Sequence, residues 1–145
     1  MSYTVYKVQI KKSTLASFRR RAIRSKKEIL AYLVGYVSDN IFVVIEVAYT
    51  KKYEISTPEN VKWFDKDYYK VLADAQKQDL DIIGDIHSHP NCDAIMSEAD
   101  YNGTALGNVC GICAVYKTPK NNNRSLIRFW VKNSALCCDL EYLQE

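Results

Sequence analysis

The sequence predicts an α/β fold, a three-layer sandwich in which one mixed, largely antiparallel sheet is flanked by helices. Two observations lead there. Segments rich in β-branched and aromatic residues recur along the chain, joined in places by short turn-forming stretches, as antiparallel hairpins require. Between them lie segments whose apolar residues repeat at helical spacing, and helices that connect strands cover the faces of a sheet. With 145 residues, 48% of them apolar, the chain suits one domain over residues 1–145 with a core of its own.

The elements follow in order. Thr4–Ile10 (TVYKVQI) alternates and reads as a strand. Ser13 or Thr14 is placed to cap a helix through about Arg24, with Leu15, Phe18 and Ala22 as its apolar stripe and its arginines mostly outward. Two strands, Glu28–Val37 and Ile41–Tyr49, flank the turn-forming trio Ser38, Asp39 and Asn40. Lys51–Asn60 is polar, contains Pro58 and reads as a loop. Asp65–Gln78 reads as a helix with Tyr68 or Tyr69, Leu72 and Ala75 on one side. Leu80–His89 is a short strand that Pro90 terminates. A helix over Ser97–Leu106 follows, then strands Asn108–Lys117 and Leu126–Lys132 around Asn121, Asn122 and Asn123. The tail Ala135–Leu143 is a further strand candidate.

Charge is unevenly spread. Residues 1–27 hold nine Lys or Arg and no acid, whereas the rest carries eleven basic and seventeen acidic residues. That asymmetry suits either a docking face for an acidic partner or an ordinary solvated helix face. No nucleic-acid-binding motif accompanies it. Residues 1–12 lack the features of a secretory signal, and no apolar stretch approaches the ~18–20 residues that span a membrane. The protein is therefore expected to be soluble and cytoplasmic.

The five cysteines do not read as a disulfide framework. Cys110 and Cys113 have the spacing of half a zinc ribbon, but the adjacent Cys137 and Cys138 supply no second half. On a strand, i and i+3 also face opposite ways, so these four read as small buried hydrophobes.

Chemistry is concentrated elsewhere. The only two histidines are His87 and His89. On a strand, i and i+2 project to the same side, which presents two nitrogens to one metal ion. Downstream, Ser97-Glu98-Ala99-Asp100 is both a helix capping box and a rigid source of a third, carboxylate ligand. Two His and one carboxylate leave a tetrahedral zinc ion one open position for water, the catalytic arrangement. A further carboxylate near the metal would serve as base.

His87-Ser88-His89-Pro90, six residues, Ser97, two residues and Asp100 together resemble the signature of the JAMM (MPN-plus, JAB-domain) zinc metalloproteases. The upstream segment Glu28–Gly35 fits the family's glutamate-led strand, with Ala31 where the family usually has glycine. The resemblance covers roughly residues 10–132 and is to a minimal prokaryotic or phage-type member. It implies the MPN/JAB fold, which is similar to that of the cytidine deaminases. It also implies one zinc ion per chain held by His87, His89 and Asp100. Glu28 would activate the zinc-bound water, and Ser97 would donate to the oxyanion. The activity implied is that of a metallopeptidase or isopeptidase, cleaving an amide or isopeptide bond at the tail of a ubiquitin-like or other peptide substrate. The alternatives are a phage- or cell-wall-related peptidase and a non-catalytic MPN scaffold. Cys92 and Asp93 lie in the loop after Pro90; either could approach the metal, but the signature does not need them, and they read as loop residues with no role. A cytidine deaminase itself is excluded, because it needs His-x-Glu and Pro-Cys-x-x-Cys.

Overall fold

A computed structural model describes residues 5–25, 27–49, 53–56, 61–63, 65–90, 109–116, 124–132, 134 and 136–145. Seven strands form one sheet in the order β8-β7-β6-β2-β3-β1-β9. These are β1 (Lys7–Lys11), β2 (Leu30–Ser38), β3 (Ile41–Tyr49), β6 (Asp81–Pro90), β7 (Val109–Tyr116), β8 (Arg124–Val131) and β9 (Asp139–Leu143). Two further strands, β4 (Tyr53–Ser56) and β5 (Val61–Trp63), pair with each other. The stretch read as a loop from its polarity and Pro58 thus contains a strand. Helices α1 (Lys12–Arg24) and α2 (Asp65–Gln76) complete the described elements. The helix expected over Ser97–Leu106 lies outside the described residues.

The sheet is mixed. β2 runs antiparallel to both β3 and β6, and β7 antiparallel to β8, while β1–β3, β1–β9 and β6–β7 are parallel. The β2–β3 hairpin turns where the sequence predicts. Asp39 takes the left-handed conformation there at φ 52°, which an aspartate tolerates better than most residues.

Each helix covers one face, which gives the three layers. The α1 face buries Leu15, Phe18 and Ala22 against Val8, Ile10, Phe42, Val44, Ile86, Val115 and Phe129. Tyr49 stacks on Phe18 at 6.3 Å between ring centroids and carries the Arg21 guanidinium 3.7 Å above its own ring. On the other face, Leu30, Tyr32, Val34 and Ile82 meet Ala75, Tyr68 and Leu72 of α2. Tyr68 is the inward tyrosine of the adjacent pair, since Tyr69 is 66% exposed. The helix stops two residues before its expected end. Asp79 enters the left-handed region at φ 58°, and the Leu80 N–H reaches back to the Ala75 carbonyl at 2.9 Å.

The α1 start differs from expectation, because neither Ser13 nor Thr14 caps it. The helix begins at Lys12 after Lys11, with no side-chain cap from the preceding residue. Glu145 takes that role. Its carboxylate accepts from the Ser13 N–H at 3.1 Å and from the Ser13 hydroxyl at 2.5 Å, placing an anion at the positive end of the helix.

The sheet also curls. The Cys138 N–H donates to the Phe129 carbonyl on β8 at 2.7 Å, and the Asp139 N–H to the Tyr6 carbonyl beside β1 at 2.8 Å. Two consecutive residues therefore tie the opposite ends of the strand order together around α1. Cys110, Cys113 and Cys138 are buried as expected, but Cys137 is exposed, because alternation along this bridge turns it outward.

Candidate metal centre

The interior strand β6 carries the histidines. It lies between β2 and β7, with register partners Leu30↔His87 on one side and His87↔Ile112, His89↔Ala114 on the other. Strand alternation puts Asp85, His87 and His89 on the α2 face, while Ile86 and Ser88 point to the α1 face. Gly84 sits earlier on the same strand because β7 comes close there. A Cβ at Gly84 would stand 1.9 Å from the Val109 carbonyl oxygen.

The two imidazoles converge as the i, i+2 spacing predicts. His87 Nε2 and His89 Nε2 are 3.1 Å apart, and their ring centroids are 4.9 Å apart. Glu28, one residue before Ile29 and the start of β2, reaches the same point. Its Oε1 lies 3.8 Å from His89 Nε2. Glu28 is 5% exposed and His87 4%. The ligand atoms of Glu28, His87 and His89 all lie within 4.8 Å of one another.

Ser88 anchors the residue after Glu28. Ser88 is fully buried, and its hydroxyl accepts from the Ile29 N–H at 2.9 Å while its own N–H donates to the Ile29 carbonyl at 3.0 Å. This pair of hydrogen bonds ties β6 to the chain entering β2 one residue after Glu28.

Two nitrogen donors and a carboxylate at one buried point fit a metal such as zinc, whose ligands are drawn from these types. Ser97, Asp100, Cys92 and Asp93 lie outside the described residues. Cys113 points away from this face, and burial pushes its thiol up to about 12 despite the lowering influence of Arg19 and His87. A thiol held so firmly protonated is no ready ligand.

The structure adds two neighbours that the sequence did not assign to this site. Asp85 Oδ1 and Cys110 Sγ each lie 3.8 Å from His87 Nδ1. Asp85 had a local signal, being two residues before His87 on a strand. Cys110 was read from its Cys-x-x-Cys spacing as a buried hydrophobe, and only the β6–β7 register brings it beside His87.

Comparison with known proteins agrees with this architecture. A family model described as prokaryotic homologs of the JAB domain matches residues 11–131. A solution structure of a protein from Desulfitobacterium hafniense is similar with a TM-score of 0.74 and 17% identity, covering 95% of this chain and 94% of that one. A JAB1/MPN domain protein from Archaeoglobus fulgidus is similar with a TM-score of 0.53 and 16% identity, covering 97% and 100% respectively. A protein from Salinibacter ruber is similar with a TM-score of 0.55 and 21% identity, covering 85% and 80%. At these identities the structural likeness speaks for the fold alone. No curated protein matches significantly. Among the described residues no helix is long and apolar enough to cross a membrane.

Proposed function

The chain belongs to the family of prokaryotic homologs of the JAB domain, and from that premise we propose that it is a zinc metallohydrolase. Its reaction is hydrolysis of an amide or isopeptide bond at the tail of a ubiquitin-like protein. The observation that carries this reading is the meeting of Glu28 with His87 and His89 at one buried point.

In this reading His87, His89 and Asp100 hold one zinc ion. Zinc bound there supplies Lewis acidity and lowers the pKa of a water to about 7. Glu28 accepts a proton from the attacking water and returns it to the departing nitrogen as the C–N bond breaks, leaving a carboxylate and an amine. Near-complete burial keeps its carboxylate turned to the site rather than to bulk water. Ser97 donates to the oxyanion that forms at the carbonyl.

The test is metal content by mass spectrometry on untagged protein, beside hydrolysis of isopeptide-linked ubiquitin-like conjugates and of cell-wall peptides. About one zinc per chain is expected in the wild type, with most of it lost in Asp100→Ala. Glu28→Gln keeps zinc and loses hydrolysis. Loss of zinc in Glu28→Gln would make Glu28 a ligand instead of the base. A wild type that takes up no zinc overturns the hydrolase and leaves a scaffold. Cleavage of cell-wall peptides alone moves the substrate class.

A further inference from the structure

Asp85 is fully buried, on the same face of β6 as His87 and His89. Its register partners are Tyr32 on β2 and Cys110 on β7, so neighbouring strands flank it on both sides. A carboxylate taken out of water is costly unless other groups answer its charge. Here the His87 ring lies between two sets of groups. Its Nε2 turns to His89 Nε2 at 3.1 Å, and its Nδ1 turns to Asp85 Oδ1 at 3.8 Å.

A neutral imidazole carries one proton, on one nitrogen or the other. Only the nitrogen without it has a lone pair for a metal. A carboxylate beside Nδ1 favours the proton there. We propose that Asp85 is a positioning residue that holds His87 as its Nδ1–H tautomer and thereby aims a bare Nε2 at the metal centre. At 3.8 Å, longer than a hydrogen bond, the carboxylate acts through its field. Cys110 Sγ is equally near Nδ1, but a thiol sulfur is a weak acceptor and contributes little to the preference.

Asp85, His87 and Cys110 also have the donor types of a second cation site. A cation there would need His87 Nδ1 bare while Nε2 serves the first site, which a neutral ring cannot provide. The tautomer assignment and a second cation site therefore exclude each other.

This inference rests on the proposed metal centre for its purpose, but its test does not need the metal. The chain has only two histidines, so long-range ¹H–¹⁵N spectra of metal-free protein contain two imidazole patterns. The expected result is a His87 pattern with Nδ1 protonated and Nε2 bare. In Asp85→Asn that pattern becomes mixed, and zinc affinity measured by chelator competition falls about 10–100-fold. Cys110→Ser leaves the tautomer unchanged. A His87 protonated on Nε2 in the wild type overturns the proposal, and this measurement needs no variant to fold. So does a folded Asp85→Asn with unaltered tautomer and affinity, or two metal ions per wild-type chain. Failure of the wild type to bind zinc would sink the metal centre, while the spectra still decide the role of Asp85.

Discussion

The Ile29 N–H donates to the Ser88 hydroxyl, not to the Ser88 carbonyl, at 2.9 Å, while the Ser88 N–H donates to the Ile29 carbonyl at 3.0 Å. A hydrogen-bonded antiparallel pair ordinarily exchanges two backbone bonds. A side chain supplies one of them here, where Glu28 leaves the sheet and between the two histidines. Ser88→Ala removes the acceptor of a part-buried N–H and should cost about 1–3 kcal/mol in denaturant unfolding. Ser88→Thr, which keeps the hydroxyl, should recover most of it. Equal stability of the alanine variant and the wild type would show that the bond contributes nothing.

Gly84 is required by the close approach of β6 to β7. An added Cβ would meet the Val109 carbonyl oxygen at 1.9 Å and Val109 Cγ1 at 2.7 Å. The carbonyl belongs to the backbone, so it yields only if the strands separate. Gly84→Ala should therefore lower the unfolding free energy by at least about 1–3 kcal/mol, read from the denaturant midpoint. It should also shift the amide resonances of His87 and His89 on the same strand.

Hydrogen bonds from the Ser13 hydroxyl and N–H hold the Glu145 carboxyl below its ordinary value of 4.5. A carboxyl with a lowered folded-state pKa stabilises the fold above its unfolded value, and that stability is lost as pH falls through the folded value. Glu145→Gln should lower Tm near neutral pH. The difference from wild type should shrink as pH drops below 4.5 and vanish once both proteins carry a neutral group there. A difference that persists in acid would mean that the carboxylate charge is not what supports the α1 N-terminus.

The cysteines should separate by reactivity. Cys137 is exposed, although partial burial raises its thiol too, while burial pushes Cys113 to about 12, and burial together with Cys137 and Asp139 pushes Cys138 to about 12. The thiolate is the reactive form. Brief alkylation of the native protein at about pH 8 should mark Cys137 and spare Cys113 and Cys138 until the chain unfolds. Peptide mass spectrometry of the digest reads the pattern. Early labelling of Cys113 would show that the α1 face opens in solution.

Much of the fold was legible in the sequence because its signals are local. Alternation marked β1, β-branched and aromatic richness marked β2 and β3, and the Leu15, Phe18, Ala22 stripe marked the buried side of α1. The boundaries that moved did so for tertiary reasons. The α1 cap is supplied by Glu145, 132 residues away from Ser13 in the chain. Tyr53–Ser56 becomes a strand through its partner Val61–Trp63, which outweighs the polar composition around Pro58.

The sequence alone determined that His87 and His89 project together, because period-2 alternation places i and i+2 on one face of any strand. It also brought the resemblance that nominated Glu28, though without its position. Only the tertiary structure decided that Glu28 meets the histidines, through a β2–β6 pairing whose Ile29–Ser88 contact spans 59 residues. The same is true of Cys110 against His87, of Tyr68 rather than Tyr69 facing inward, and of Cys138 and Asp139 joining opposite ends of the strand order. Side-chain direction along one strand follows from backbone geometry within a few residues. Which strands become neighbours is set by the burial and hydrogen bonding of the whole sheet, which no local period encodes.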